Sequence, residues 1–349
     1  MTQKNETPIL IISLLITAGL LGGGYWWFTQ RSSIDVGKVT QQAPSNNSGL
    51  SQSSPSGSSG DTNFTQVQNV PSGLFSYGGS TSWAPIRATV DSAIQSTRPE
   101  FRLRYTDPTG HSPSSGQGIK MLLDGQIAFA QSSRPVSDQE YQQAQQRGFT
   151  LRQVPVAIDG IAIAANPSLN VPGLTVDQVR GIFLGQIKNW QEVGGPNLAI
   201  VPLSRTPNLG GIFFETVLGG QPLGSNVQIV STTTQALQKL GATPGGVYFA
   251  SASEVVPQCT IKPLAIARSA NQWVPPYRGT FLEKCPGGQR NQLNLKAFQE
   301  GSYPITRNLF VVVKQNGQAE QQAGEAYVRL LVTDQGQELL EKAGFVRVR

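Results

Sequence analysis

The chain has 349 residues; 14% are charged, and it carries 38 Gly and 23 Pro. So low a charged fraction with so much Gly and Pro excludes a coiled coil, and the length suits one large or two medium domains of a loop-rich secreted α/β protein. The formal charge of +6 is not gathered into any Lys/Arg run, so no nucleic-acid partner is expected, although a mild positive field speeds capture of a small anion.

Pro8 to Phe28 reads PILIISLLITAGLLGGGYWWF, a run with no charge. At about 1.5 Å per residue it spans a bilayer core of about 30 Å. Tyr25, Trp26 and Trp27 stand where an interfacial aromatic belt would. The run ends in Trp-Trp-Phe rather than at a small-x-small cleavage site, which predicts an uncleaved transmembrane anchor over 8–28. No cysteine lies near this end, so a lipoprotein anchor is not expected. Residues 29–71, rich in Ser, Gln, Asn, Gly and Pro, read as a disordered linker.

From Leu74 the pattern is α/β. Strands are predicted at 74–77, 101–105, 127–130, 154–165, 200–203, 246–250 and 309–313. Helices are predicted at 82–96, from Gly118 to Leu123, at 137–148, 175–183, 232–240, 320–333 and 335–343. Trp83, Ile86, Val90 and Ile94 form the apolar stripe of the first helix. Ser137 with Glu140 spells a capping box, and Thr175 reads as an N-cap. Alternation of strand and helix argues a mainly parallel sheet.

Three Ser/Gly segments fall where a strand hands over to a helix: Gly78-Gly79-Ser80-Thr81-Ser82, Ser114-Ser115-Gly116-Gln117-Gly118 and Ser132-Ser133-Arg134-Pro135. Free backbone N–H groups, hydroxyl donors and the positive end of a helix dipole together suit an oxyanion. Little else offers chemistry. His111 is the single histidine, which excludes a His-based metal cluster and leaves any Ser-His-Asp site resting on one residue. No catalytic residue, metal or other cofactor is expected. Cys259 and Cys285 are too few for zinc without other ligands; they read equally as one disulfide or as two buried thiols.

The order of the pieces resembles the phosphate-binding solute receptors of ABC transporters, within the type 2 periplasmic binding protein fold. The resemblance covers about residues 72–349 and rests on GGSTSWAPI, SSGQGIKMLLDGQIAFAQSSRP, VAIDGIAIAANP, LTVDQVRGIFLGQIKNW, the Arg205 loop, GGVYF, SYPITRNLF and TDQGQELLEKAGF, in that order. It implies an α/β, two-lobed fold with a hinge cleft, lobe 1 from about 72–156 and 262–349 and lobe 2 from about 157–261. It implies an extracytoplasmic domain tethered to the inner membrane, a monomer that delivers phosphate to ABC permease subunits, and a disulfide between Cys259 and Cys285. Its anion-binding positions fall on Ser80 and Thr81, on Ser115 and Gly116, on Ser132, Ser133 and Arg134 (the last as a charged fork), and on Arg205, Gly210 and Gly211.

The chain departs from the family after Arg205. Leu209 and Gly211 stand where the family has Ser and Thr, which leaves Gly210 and Gly211 N–H groups without the two hydroxyls. Ser133 stands where one branch has an acid that rejects sulfate; Asp107 and Asp159 are the nearest acids in sequence to replace it. The alternative is a degenerate receptor with a sensing or scaffold role and a changed or lost ligand.

Overall fold

The computed structural model describes residues 61–205, 211, 213–270 and 272–348, all within one compact unit, Gly57–Arg349. The predicted anchor over 8–28 lies outside the described residues. Among those described, no helix is long and apolar enough to cross a membrane.

The strands are β1 (Gly73–Gly79), β2 (Phe101–Tyr105), β3 (Phe129–Ser132), β4 (Thr150–Ala165), β5 (Leu174–Thr175), β6 (Val201–Ser204), β7 (Gln228–Ile229), β8 (Gly246–Ser251), β9 (Lys262–Pro263), β10 (Ile266–Ala267) and β11 (Thr306–Gln315). One mixed, nine-stranded sheet has the order β2-β1-β3-β11-β4-β8-β6-β7, with β9 beside β4; β10 and β5 form a separate pair. The expected mainly parallel sheet is therefore corrected. Pairing is parallel at β1–β2, β1–β3, β6–β8 and β6–β7, but antiparallel wherever β4 and β11 take part. Those two long strands run through the middle of the sheet. β4 pairs with β11 over 150–160 and with β8 over 161–165, so one strand belongs to both parts of the sheet. Its apolar run is buried from Ile161 to Ala165, as a strand covered on both faces requires.

A helical run over 81–97, α1, follows β1. Trp83, Ile86, Val90 and Ile94 are all fully buried, as their spacing predicts. Arg87–Asp91 widen to a π-helical turn, which brings Asp91 inward beside Val90. Helix α2 is Ser115–Leu123, starting three residues before the predicted Gly118 because Ser114 Oγ accepts from Gln117 N and so caps it there. Helix α3 is Asp138–Gln146, with the Ser137/Glu140 capping box formed, and α4 is Val176–Phe183, capped by Thr175. Strand β3 sits two residues later than predicted, because its ladder with β1 runs from Tyr77–Phe129 to Gly79–Gln131.

Two large hydrophobic clusters flank the crossing strands. One gathers Ile161–Ala165 with Trp190, Phe213 and Tyr248; the other gathers Phe64, Val67, Trp83, Phe129 and Tyr327. The second cluster includes residues that precede the expected linker boundary at 71. Phe64 and Val67 are buried, and the Arg98 guanidinium donates to the carbonyls of Phe64, Thr65 and Val67, so packing begins before residue 72. Cys259 and Cys285 form a disulfide, with Cα atoms 5.3 Å apart.

Candidate functional site

The site begins with glycine. A Cβ on Gly79 would lie 2.1 Å from the Gln131 carbonyl, and one on Gly118 would lie 2.5 Å from Gly79 Cα. Only glycines let β1, β3 and α2 meet this closely, and the contact brings three chain turns together. Ser80 caps the start of α1, its Oγ accepting from Ser82 N. Ser80 Oγ donates to Ser133 Oγ at 2.9 Å. Ser133 N donates to Ser115 Oγ at 3.0 Å, and the two hydroxyls stand 3.2 Å apart. Three hydroxyls from three segments, distant in sequence, thus form one buried chain.

Ser80, Thr81 and Ser133 line a cavity of about 70 Å³ together with Arg205, Gly211 and Arg307. That volume suits a small polyatomic ion and is far below the roughly 300–1,000 Å³ of sites for drug-sized ligands. Arg205 enters at the end of β6 and its Nη1 donates to Thr81 Oγ1 at 3.1 Å. Its Nε is buried and, among the described residues, has no hydrogen-bond partner. An unpaired buried donor costs roughly 1–3 kcal/mol, so this N–H marks a place for an acceptor. Aromatic rings of Phe213 and Phe249, stacked with centroids 3.6 Å apart, supply an apolar side of the cavity.

Arg134, Ser132 and Gly116 do not line the cavity. The Arg134 guanidinium forms a fork on Glu140, Nη1 to Oε2 at 2.9 Å and Nη2 to Oε1 at 2.7 Å. The capping box of α3 fixes Glu140, which claims the arginine from below the site. Ser132 Oγ donates to the Arg134 carbonyl at 2.6 Å and accepts from Arg134 N, so it shapes this turn rather than facing the cavity. Gly116 faces Arg134, whose Nη2 would be 3.4 Å from a Cβ there. Gly210 lies outside the described residues, as do Thr206 to Leu209. Gly211 does face the cavity, and a Cβ on it would stand 3.6 Å from Ser133 Oγ and 3.7 Å from Arg307 Nη1. His111 is exposed and is not part of the lining.

Ser82 and Ser114, from the Ser/Gly segments, line the cavity too, and so do two charged residues outside the expected positions, Arg307 and Glu254. Arg307 on β11 donates from Nη2 to Ser82 Oγ at 2.7 Å and, from Nε and Nη2, to Asp159 Oδ2 at 2.9 and 2.8 Å. Asp159 also accepts from Ser251 Oγ at 2.7 Å. Asp159 is fully buried in this pairing and does not line the cavity, and neither does Asp107. The carboxyl that does line it is Glu254, in the short helix Ala252–Val255 after β8. Burial pushes Glu254 up to about 7, the Asp159 charge adding to the shift while Arg307 and Arg205 oppose it. The sequence signals were present: an arginine opening an otherwise apolar strand in SYPITRNLF, and an acid one turn beyond GGVYF. Nothing local tied either to the Ser/Gly segments.

A family description of a PBP superfamily domain matches residues 52–335. The chain is 25% identical over 242 residues to the phosphate-binding protein PstS of Staphylococcus aureus (strain USA300), covering 66% of this chain and 67% of that one. A Clostridium perfringens protein assigned as a phosphate ABC transporter substrate-binding protein, with phosphate bound, shares the fold at a TM-score of 0.63 and 22% identity, over 79% of this chain and 100% of that one. An ABC-type phosphate transport receptor from Vibrio cholerae gives a TM-score of 0.59 at 21% identity, over 78% and 99% of the two chains.

Proposed function

The chain belongs to the PBP superfamily, and on that premise we propose that it is a solute receptor that captures inorganic phosphate, or a related oxyanion, and delivers it to an ABC-type permease. The observation that carries this reading is the buried Arg205 Nε, which meets no acceptor among the described residues, on a side chain that lines a small cavity together with Ser80 and Ser133. A tetrahedral oxyanion supplies acceptors on all sides and satisfies that donor together with the hydroxyls. The phosphate-binding names of the relatives support the same ligand.

Capture is reversible and breaks no bond. Ser80, Thr81, Ser115 and Ser133 contribute from one side of the crossing strands, and Arg205 and Gly211 from the other. Two lobes, about 72–156 with 262–349 and about 157–261, would close on the anion about β4 and β11 as a hinge. The domain acts outside the cytoplasm as a monomer, and the apolar run 8–28 holds it near its permease. An emptied relic is the poorer reading: loss of the anion leaves Arg205 Nε with a standing cost and no compensating acceptor among the described residues.

The test is calorimetric titration of the purified chain with sodium phosphate near neutral pH. Binding at micromolar Kd or tighter is expected. Absence of heat and of any phosphate-induced rise in Tm would remove phosphate as the ligand.

A further inference from the structure

We propose that Arg307 is a second guanidinium ligand of the anion, offering its Nη1 from the crossing strands while Asp159 holds the other edge of the side chain. The inference rests on the oxyanion reading above and adds a binding residue to it.

Arg307 on β11 stands directly opposite Asp159 on β4 in their antiparallel ladder. Its Nε and Nη2 both donate to Asp159 Oδ2, at 2.9 and 2.8 Å, and Nη2 also donates to Ser82 Oγ at 2.7 Å. The other carboxylate oxygen, Asp159 Oδ1, accepts from Ser251 Oγ at the end of β8, at 2.7 Å, so the acid is itself fixed. Nη1 is left over: among the described residues every hydrogen bond of this guanidinium leaves from Nε or Nη2.

A guanidinium is planar and rigid, so docking one edge on Asp159 and Ser82 also fixes the direction of Nη1. Gly211 tells where that atom lies. The position a Cβ on Gly211 would take is 3.7 Å from Arg307 Nη1 and 3.6 Å from Ser133 Oγ. Arg307, Gly211 and Ser133 all line the anion cavity. Nη1 therefore stands beside a hydroxyl of the buried serine chain, and its N–H groups are charge-assisted donors of the kind an oxyanion takes.

The pairing gives its two members opposite effects on binding. With the cavity empty, the Asp159 carboxylate offsets the Arg307 charge. A bound anion competes with that carboxylate for the same guanidinium, so Arg307 attracts the anion and Asp159 opposes it. A guanidinium that only strapped β11 to β4 would need its carboxylate, and loss of either partner would then damage the site in the same direction.

The experiment is calorimetric titration of the full chain and two variants with sodium phosphate near neutral pH, with a thermal melt of each. Arg307→Lys keeps a cation beside Asp159 and removes Nη1. Its phosphate affinity is expected to fall about 10- to 150-fold, the range for one hydrogen bond to a charged group. Asp159→Asn can turn its carbonyl oxygen to Arg307 and its amide to Ser251 Oγ, which keeps the geometry and removes only the charge. It is expected to melt below the parent yet bind phosphate about tenfold more tightly, the low end of what one nearby charge does. A crystal structure of the parent chain grown with phosphate needs no variant, and it should place a phosphate oxygen about 2.7–3.2 Å from Arg307 Nη1. No phosphate binding by the parent sinks the receptor reading itself. Parent binding with Arg307→Lys within about threefold of it, a loss of affinity in Asp159→Asn, or a bound phosphate out of reach of Nη1 each overturns the role of Arg307.

Discussion

Arg205 reaches Thr81 across the cavity, its Nη1 donating to Oγ1 at 3.1 Å while the buried Nε on the same guanidinium meets no acceptor among the described residues. One hydrogen bond joins two chain segments far apart in sequence, and the unused donor beside it marks a place for an acceptor. Replacing Arg205 by Met should therefore weaken phosphate binding much more than it weakens the fold. Hydrogen bonds to a charged group are worth roughly 1.5–3 kcal/mol, so a loss of about 10- to 150-fold in affinity is expected. Calorimetry reads the affinity, and a Tm within about 2 °C of the parent shows that the variant is intact.

Arg134 should behave in the opposite way. Its bidentate bond to Glu140 is largely shielded, with side-chain exposures of 17% and 14%. Arg134→Gln is expected to cost about 1–3 kcal/mol in urea unfolding, below the 3–5 kcal/mol of a fully buried pair. Phosphate affinity should stay within about threefold. The loss should also depend on pH. The Arg134 hydrogen bond and the Ser137 backbone N–H hold Glu140 below its ordinary value against burial, so the pair stabilises the fold above the ordinary Glu range and fades as acid protonates Glu140. A large affinity loss in this variant would return Arg134 to the binding set.

Gly211 offers a gain of function. Its Cβ position, in the lining of the cavity, has ordinary van der Waals space, 3.6 Å from Ser133 Oγ. Gly211→Ser would restore one of the two hydroxyls missing from this loop. Tighter phosphate binding, by about tenfold for one added hydrogen bond to the anion, is the expected calorimetric result. Weaker binding would mean that the serine occupies the space the anion needs.

Asp91 makes stability depend on pH. It is buried between the Tyr77 and Tyr327 hydroxyls, both donating to it, and burial pushes it up to about 6 against those bonds and Arg87. A carboxyl raised in the folded state favours folding fully below its ordinary value of 3.8, and that contribution is lost as pH climbs through about 6. The difference is about 3 kcal/mol, at 1.36 kcal/mol per unit. Relative to Asp91→Asn, the parent chain should lose about that much stability between pH 4 and pH 7 in urea titrations. A constant difference across the range would mean that Asp91 does not titrate there.

The disulfide closes a segment of 26 residues, Cys259 to Cys285. In the chain-entropy account a loop of this size is worth about 3–4 kcal/mol. The double variant Cys259→Ala, Cys285→Ala should show that loss in urea unfolding, and a reducing agent should lower the Tm of the parent chain but not of the variant.

The sequence by itself determined the local structure and one wall of the site. The stripe Trp83, Ile86, Val90 and Ile94, the capping box of Ser137 and Glu140, the Thr175 cap and the Ser80, Ser115 and Ser133 turns all follow from spacing within a few residues, because caps and amphipathic faces are short-range chemistry. Two things needed the tertiary structure. The antiparallel crossing of β4 and β11 is invisible locally, since a strand's pattern of burial does not state the direction of its neighbour. Apart from Arg205, the charges of the site were equally hidden. Arg134 stood in the right motif, but Glu140, six residues on, took its guanidinium, while Arg307 and Glu254, in motifs tied to no Ser/Gly turn, were brought to the cavity by the packing of β11 and β8. Which partner a guanidinium finds depends on what the fold places within a few ångströms, and for Arg205 and Arg307 that is set by contacts between residues a hundred or more positions apart.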